Sequence, residues 1–258
     1  GRKPYETEVI QLAFALSKEK YGPAELVVSD RSMSPIRGRE KLKEGHEVHV
    51  HTAPILYRDF DTDISFILPR NILNNLLGYR QPIIRSRDAE AFQSIRSLNQ
   101  LQHSIVGQGR YWPDTRVYRH NQIAVVEADR YESLFPMLDR KRFDLLPLGI
   151  TEAEEALSAG RSQDYELITE PNLVIYYPWP VYIMVSKTKP KLRDRLQYGI
   201  IQADKKGLIE DLFKRHFSHV IERFNRSDTR IIVLENPILE ENNPWRQPDL
   251  LPRAQRLD

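Results

Sequence analysis

Residues 176–180 read YYPWP. Each proline fixes its own φ near about −65° and pushes the residue before it toward extended backbone, so Tyr177 and Trp179 are both held extended. A run of this kind connects elements and does not build a helix. Tyr79 to Arg85, which contains Pro82, is a second extended stretch far upstream. The chain between the two reads as a self-contained βα block. Two such crossovers imply a pair of lobes with a double hinge. Lobe 1 would hold residues 1–85 and 178–258, including an extended C-terminal tail, and lobe 2 residues 86–177.

The patterns on either side agree with an α/β fold. Val9, Leu12, Ala13 and Leu16 recur at helical spacing, and Gly22-Pro23 stops that helix. Glu25 to Ser29 reads as a short apolar strand. Ser34-Pro35 opens a second helix that ends before Gly45, and Glu47 to Thr52 alternates as a strand does. Further strands are expected around Leu145, at Val181 to Val185 and at Arg230 to Leu234. Helices are expected near residues 89–96, 113–120, 129–141 and 151–159, then at Leu192–Lys205 and Gly207–Phe217. Strands alternating with helices imply parallel sheets covered by helices. From Asn236 onward, proline and charge predict a tail lying over the surface.

Bulk properties narrow the function classes. The chain has 258 residues, 40% of them hydrophobic, and no apolar run near the ~20 residues needed to span a bilayer. Its 38 basic and 36 acidic residues leave a net charge of +2, which argues against nucleic-acid binding and membrane insertion. The basic stretch from Arg223 to Arg230 is diluted by Glu222 and Asp228. There is no cysteine, so disulfides, thiol catalysis and Cys-based metal sites are excluded.

The motifs exclude more than they assign. Gly107-Gln108-Gly109 lacks the third glycine of a dinucleotide fingerprint, because Trp112 stands in its place, and there is no Walker lysine. No cofactor is expected. Arg110, Tyr111 and Trp112 follow this turn, just ahead of Pro113 and a helix. Arg110 could clamp a carboxylate beside two flat aromatic walls. Alternatively, this is a glycine turn with Pro113 at the first helical position, Asp114 complementing the helix dipole and the aromatics packed into the core. His49 and His51 share a strand face and His46 does not, with no carboxylate to complete a site, so no metal is expected. No Gly-x-Ser-x-Gly elbow or Ser-x-x-Lys arrangement supports nucleophilic catalysis.

Six strings, in order along the chain, resemble family 3 of the type II periplasmic solute-binding proteins, which includes polar amino-acid receptors. They are LLGYR (76–80), GQGRYWPDT (107–115), LFPMLDRKRFDLLPLG (134–149), the EA of ITEAEEAL (150–157), YPWPVYIMVSK (177–187) and ENPIL (235–239). The resemblance is greatest to an orphan transporter or substrate-binding branch. It implies a two-lobe periplasmic-binding-protein type II fold, with mixed sheets flanked by helices and two hinge strands. It also implies export to the periplasm or cell surface, a signal peptide having been removed. Ligand contacts in such folds lie beyond the C-terminal strand ends. On this sequence those positions are Ser32, Thr52, Arg58, Arg80, Gly109, Arg110, Tyr111, Trp112, Tyr177 and Trp179. Asp30, Met33, Leu148 and Gly149 lie nearby.

The chain departs from the receptors' pattern in two places. Thr52 is followed by Ala53, Pro54 and Ile55, so the Thr-x-x-Arg carboxylate clamp is missing and Arg58 comes late. The strand at Asp144–Leu146 runs into LPLG, with no acid there to hold an α-ammonium and no arginine at Leu148. The expected function is a non-catalytic, monomeric binding protein that closes on a small polar solute, amino-acid-like or a carboxylate, and presents it to a membrane permease or sensor. The alternatives are a signalling or interaction module that has lost its ligand, and a dehydratase-like enzyme on the same fold.

Overall fold

Tyr5, Val9, Ala13 and Ser17 stand four residues apart and form the buried face of the first helix. The computed structural model describes residues 2–29, 33, 35–56, 58–161, 165–239 and 246–257. In chain order its elements begin with α1 (Arg2–Tyr21), α2 (Pro35–Glu44), β1 (Val50–Pro54), α3 (Arg58–Ile64) and β2 (Ser65–Ile67). Then follow β3 (Tyr79–Arg85), α4 (Ala89–Gln93), α5 (Leu98–Leu101), β4 (Ile105–Gly109), α6 (Asp114–His120) and β5 (Ala124–Ala128). Next come α7 (Leu134–Asp139), β6 (Leu146–Gly149), α8 (Ala153–Ala156), β7 (Leu167–Thr169) and β8 (Leu173–Tyr176). The chain closes with β9 (Val181–Ser186), α9 (Pro190–Lys205), α10 (Leu208–Phe224), β10 (Arg230–Val233) and β11 (Gln255–Leu257).

The chain divides into two compact units, one of Gly1–Asn74 with Pro180–Ser218, the other of Asn75–Trp179 with His219–Asp258. These units part at Asn74 and Trp179, and residues after Ser218 go with the second.

In the first unit, β9 is the middle strand of a three-stranded antiparallel sheet with β1 and β2 at its edges. α1 lies against α9 so closely that a Cβ on Gly199 would stand 2.1 Å from the Ala13 carbonyl oxygen. Gly22, at φ +80°, ends α1 by donating its N–H to Lys18 O at 2.8 Å. The Tyr5 ring meets Phe217 edge-on with centroids 5.1 Å apart. Arg39 and Asp61 form a buried pair, Nε to Oδ1 at 2.6 Å, which also ties down the Pro54 carbonyl and the Leu56 N–H.

In the second unit, strands run in the order β11-β10-β8-β3-β6, with β7 also pairing β3. β3 is antiparallel to β6, β7 and β8, while β10 is parallel to both β8 and β11. A separate parallel pair, β4–β5, lies against β6 through Gly107 N–H to Leu145 O at 2.9 Å. Phe135, Leu138, Phe143 and Leu146 centre the core between these strands and the neighbouring helices.

Four sequence expectations change. Tyr79–Arg85 is not a bare connection: all seven of its residues are buried, and it is the inner strand of its sheet. Glu25–Ser29 forms no strand, and Val27 and Val28 are 81% and 56% exposed. The sheets are mixed, as the resemblance implied and not parallel as the strand–helix alternation suggested, because β3 and β9 run against their neighbours. The segment after Asn236 is more than a surface cover, since it returns as β11 and buries Leu251. Among the described residues, no helix is long and apolar enough to cross a membrane.

Candidate functional site

The turn at the carboxyl end of β4 divides its aromatics. A Cβ on Gly107 would fall 2.3 Å from the Phe143 ring, and one on Gly109 would fall 2.5 Å from the Trp112 indole. Both glycines are therefore required by ring packing. Trp112 folds back onto the core, its N–H donating to Gly109 O at 3.0 Å and its ring 6.1 Å from that of Tyr131. Tyr111 does the opposite. It adopts φ 68°, in the left-handed region that costs a non-glycine residue on the order of 1 kcal/mol, and its side chain is 86% exposed. Arg110 N–H donates to Ala128 O at 2.8 Å, and its guanidinium pairs with Asp129 at 2.8 Å. Both side chains of that pair are largely in water, where such a pair contributes ~0–1 kcal/mol and leaves Arg110 free to exchange partners.

Arg80 is held quite differently. It lies on β3 opposite Gly149 and Ile175, and it is buried. Its Nε donates to Tyr177 Oη at 2.9 Å, and its Nη2 meets Asp114 Oδ1 at 2.7 Å. Tyr177 Oη donates to the same Asp114 oxygen at 2.6 Å, and Tyr118 Oη lies 3.4 Å from Tyr177 Oη. Rings of Tyr118 and Trp179 stand edge-on to Tyr177, at 5.7 and 5.6 Å. Burial opposes the Arg80 charge, but Asp114, Tyr177, Tyr118 and Glu152 together outweigh it and hold the guanidinium protonated more firmly than in a free arginine. Burial pushes the Tyr177 and Tyr118 hydroxyls well above the usual tyrosine range. Gly78 closes the arrangement, since a Cβ there would strike the Tyr177 carbonyl at 2.1 Å. This network satisfies its own charges, and it brings Arg80, Tyr177 and Trp179 together. Arg110 and Tyr111 stand outside it.

In the first unit, Thr52 lies on β1 and donates its hydroxyl to Glu6 Oε2 of α1 at 2.8 Å. Arg58 opens α3 on an exposed side chain. Ser32, with Asp30, lies outside the described residues. His51 packs against Gly38, and burial, reinforced by Arg39 and Arg2, brings its pKa down to about 4. His46 and His49 are exposed. Among the described residues, no three His, Cys, Asp or Glu side chains are placed to hold a metal ion.

Three partners were not legible in the sequence. Asp114 read as a dipole-complementing residue, and its main partner is Arg80. Glu6 read as an ordinary helix residue, yet it is buried against Thr52. Gln108, 1% exposed, has a side-chain oxygen with no hydrogen-bond partner among the described residues. A polar residue between two glycines of a buried strand was the available signal for Gln108; Glu6 and Asp114 gave none.

Three solved structures compare as follows. The GluR0 ligand-binding core in complex with L-glutamate matches with a TM-score of 0.55 at 13% identity, over 80% of this chain and 87% of that one. A periplasmic His/Glu/Gln/Arg/opine family-binding protein from Silicibacter pomeroyi, in complex with lysine, matches with 0.53 at 13% identity, over 83% and 86%. An ancestral arginine-binding protein bound to arginine matches with 0.50 at 17% identity, over 81% and 87%. The fold is that of the two-lobe periplasmic binding proteins. No protein-family model and no curated protein matches the sequence. A fold shared at this level of identity does not fix function, which resides in particular residues.

Proposed function

We propose that this protein is a non-catalytic, extracytoplasmic binding protein for a small polar solute, amino-acid-like or a carboxylate, which it presents to a membrane permease or sensor. The observation that carries this reading is the end of β4. There Tyr111, in a strained left-handed conformation and exposed, stands beside the exposed Arg110 at the carboxyl end of a parallel strand. Open α/β sheets bind ligands at such ends, and backbone strain of this kind clusters at binding sites. The solved structures described above include proteins holding glutamate, lysine and arginine, which supports the same class of solute here. Membership of the orphan branch, the lobe boundaries at 85/86 and 177/178, solute-driven closure and a monomeric state belong to the same proposal.

A thermal-shift screen of amino acids, dicarboxylates and polyamines tests it. A solute present at 100 times its Kd raises stability by about 2.7 kcal/mol. The Arg110→Ala variant should fold normally and bind the identified solute at least about tenfold more weakly, or roughly 1.4 kcal/mol. Unchanged affinity removes Arg110 from the site. One observation favours a second reading, a module that has lost its ligand: Arg80, Asp114 and Tyr177 already satisfy one another. A screen in which no solute stabilises the protein selects that second reading.

A further inference from the structure

The net charge of +2 hides an uneven distribution. The first unit holds 20 basic and 15 acidic residues, net +5, and the second 18 basic and 21 acidic, net −3. Within the first unit, KTKPKLR (187–193) runs from the end of β9 into α9. It places Lys187, Lys189, Lys191 and Arg193 within seven residues, with no acid among them.

Three other elements meet this stretch. Buried Arg195 donates from Nη2 to Gly22 O at 2.6 Å and from Nε to Ser17 Oγ at 3.1 Å, which holds the end of α1, with Lys18 and Lys20, against the first turns of α9. Lys20 Nζ stands 4.6 Å from the centroid of the Tyr198 ring, and the Tyr21 ring lies 5.9 Å from the same ring. Gly45 follows Lys43 and the end of α2, and a Cβ there would stand 2.1 Å from the Thr188 hydroxyl oxygen. Phe66 of β2 has Lys187 Nζ and the Arg193 guanidinium each 4.5 Å from its ring centroid. One end of the first unit therefore collects seven cations from four elements.

Most of that charge is unneutralised. Lys18, Lys20, Lys43, Lys187 and Lys191 are exposed, and among the described residues neither they nor Lys189 form an ion pair. Arg193 pairs with its neighbour Asp194, while Lys41 takes Glu44 and Glu47. Glu19, on α1, and Asp63, beside the Ile64 carbonyl that accepts from Lys187 N–H, offset part of the field.

Six of the seven cations are lysines, and that choice separates two kinds of partner. Protein interfaces enrich arginine, whose planar fork matches a fixed carboxylate, and deplete lysine. Lysine heads are hydrated point charges on flexible stems, which suit a fluid surface of mobile anions. Exposed Tyr21, next to Lys20, adds an amphipathic ring of the kind that settles at headgroup level. We infer that this end of the first unit is a docking surface for a bilayer rich in anionic phospholipid headgroups, bound peripherally with no inserted segment. The surface lies in the unit that does not contain β4, so it stands or falls independently of the solute reading.

The test is co-sedimentation of the full chain with phosphatidylcholine vesicles, with and without phosphatidylglycerol as a third of the lipid. The chain should bind only the anionic vesicles and leave them at high salt. Each lysine near an anionic surface strengthens binding roughly fivefold, so the triple variant Lys187→Gln, Lys189→Gln, Lys191→Gln should bind on the order of a hundredfold more weakly. Lys205→Gln, Lys206→Gln and Lys214→Gln remove the same charge beyond the far end of α9, and that chain should keep most of its binding. Melting curves check the folding of both. Should the first triple variant be unstable, Lys191→Gln alone, at an exposed side chain, should bind about fivefold more weakly. Equal losses in the two triple variants, equal binding to both kinds of vesicle, or no binding to either overturns the inference. Binding to poly-L-glutamate without binding to vesicles also overturns it, in favour of an acidic protein partner.

Discussion

Arg80 and Arg110 are both arginines near aromatic residues, and burial separates their roles. Arg80 is sealed against Asp114 and Tyr177, so removing it strands a carboxylate in poorly solvated surroundings. Arg80→Met should cost about 3 kcal/mol in urea unfolding, and Arg80→Met combined with Asp114→Leu should recover part of that loss. A single-variant loss below about 1 kcal/mol would show that the network is not stabilising. His51 gives a pH signature. Its folded pKa of about 4 lies below its ordinary value, so the unfolded chain binds the extra proton first as pH falls. Above the ordinary histidine value this costs nothing. As pH falls from there toward 4, stability is lost at up to about 1.4 kcal/mol per pH unit. Glu6, with its raised pKa, works in the other direction: its contribution is intact below the ordinary carboxylate value and is lost as pH rises through the raised one. A His51→Gln chain should therefore show a flatter acid limb in urea midpoints between pH 6.5 and 4. An unchanged limb would show that His51 titrates normally. Residue types were legible in the sequence; partnerships such as Arg80–Asp114 were not, because only the fold sets which distant positions meet.

Elements were legible where their pattern was local. α1, α2, α9 and α10 carry helical periodicity and stop signals, and they form close to where those signals lie. Glu25–Ser29 has the apolar, β-branched character of a strand but joins no sheet among the described residues. Tyr79–Arg85 reads as an extended crossover, and it is extended, although it also forms a buried strand of a sheet. Pro82 sits inside the sheet, where its carbonyl accepts from Glu170 N–H at 2.8 Å. The turn after β4 resolves both alternatives in part: Trp112 packs inward, as the structural reading held, while Arg110 and Tyr111 stay outside. At Gly107 the Phe143 ring leaves no room for a methyl group. Gly107→Ala should lower stability by about 1–3 kcal/mol through overpacking, and a neutral result in thermal unfolding would mean that the ring can yield.

At the scale of the whole molecule, the fold was readable because alternating elements and six ordered strings constrain topology jointly. The solute was not readable, because recognition depends on side chains from separate stretches of sequence. Thr52 illustrates this: its neighbours in sequence suggest a damaged carboxylate clamp, while its neighbour in space is an acid. The net charge of +2 gives no preference for either class of solute. The most direct test is equilibrium dialysis of the full chain against a mixture of amino acids, dicarboxylates and polyamines, with the retained solutes identified by mass spectrometry. Solute binding predicts one class of solute enriched to about one molecule per chain and largely lost from Arg110→Ala. Retention of nothing above the dialysate level, by a chain shown to be folded, would contradict it.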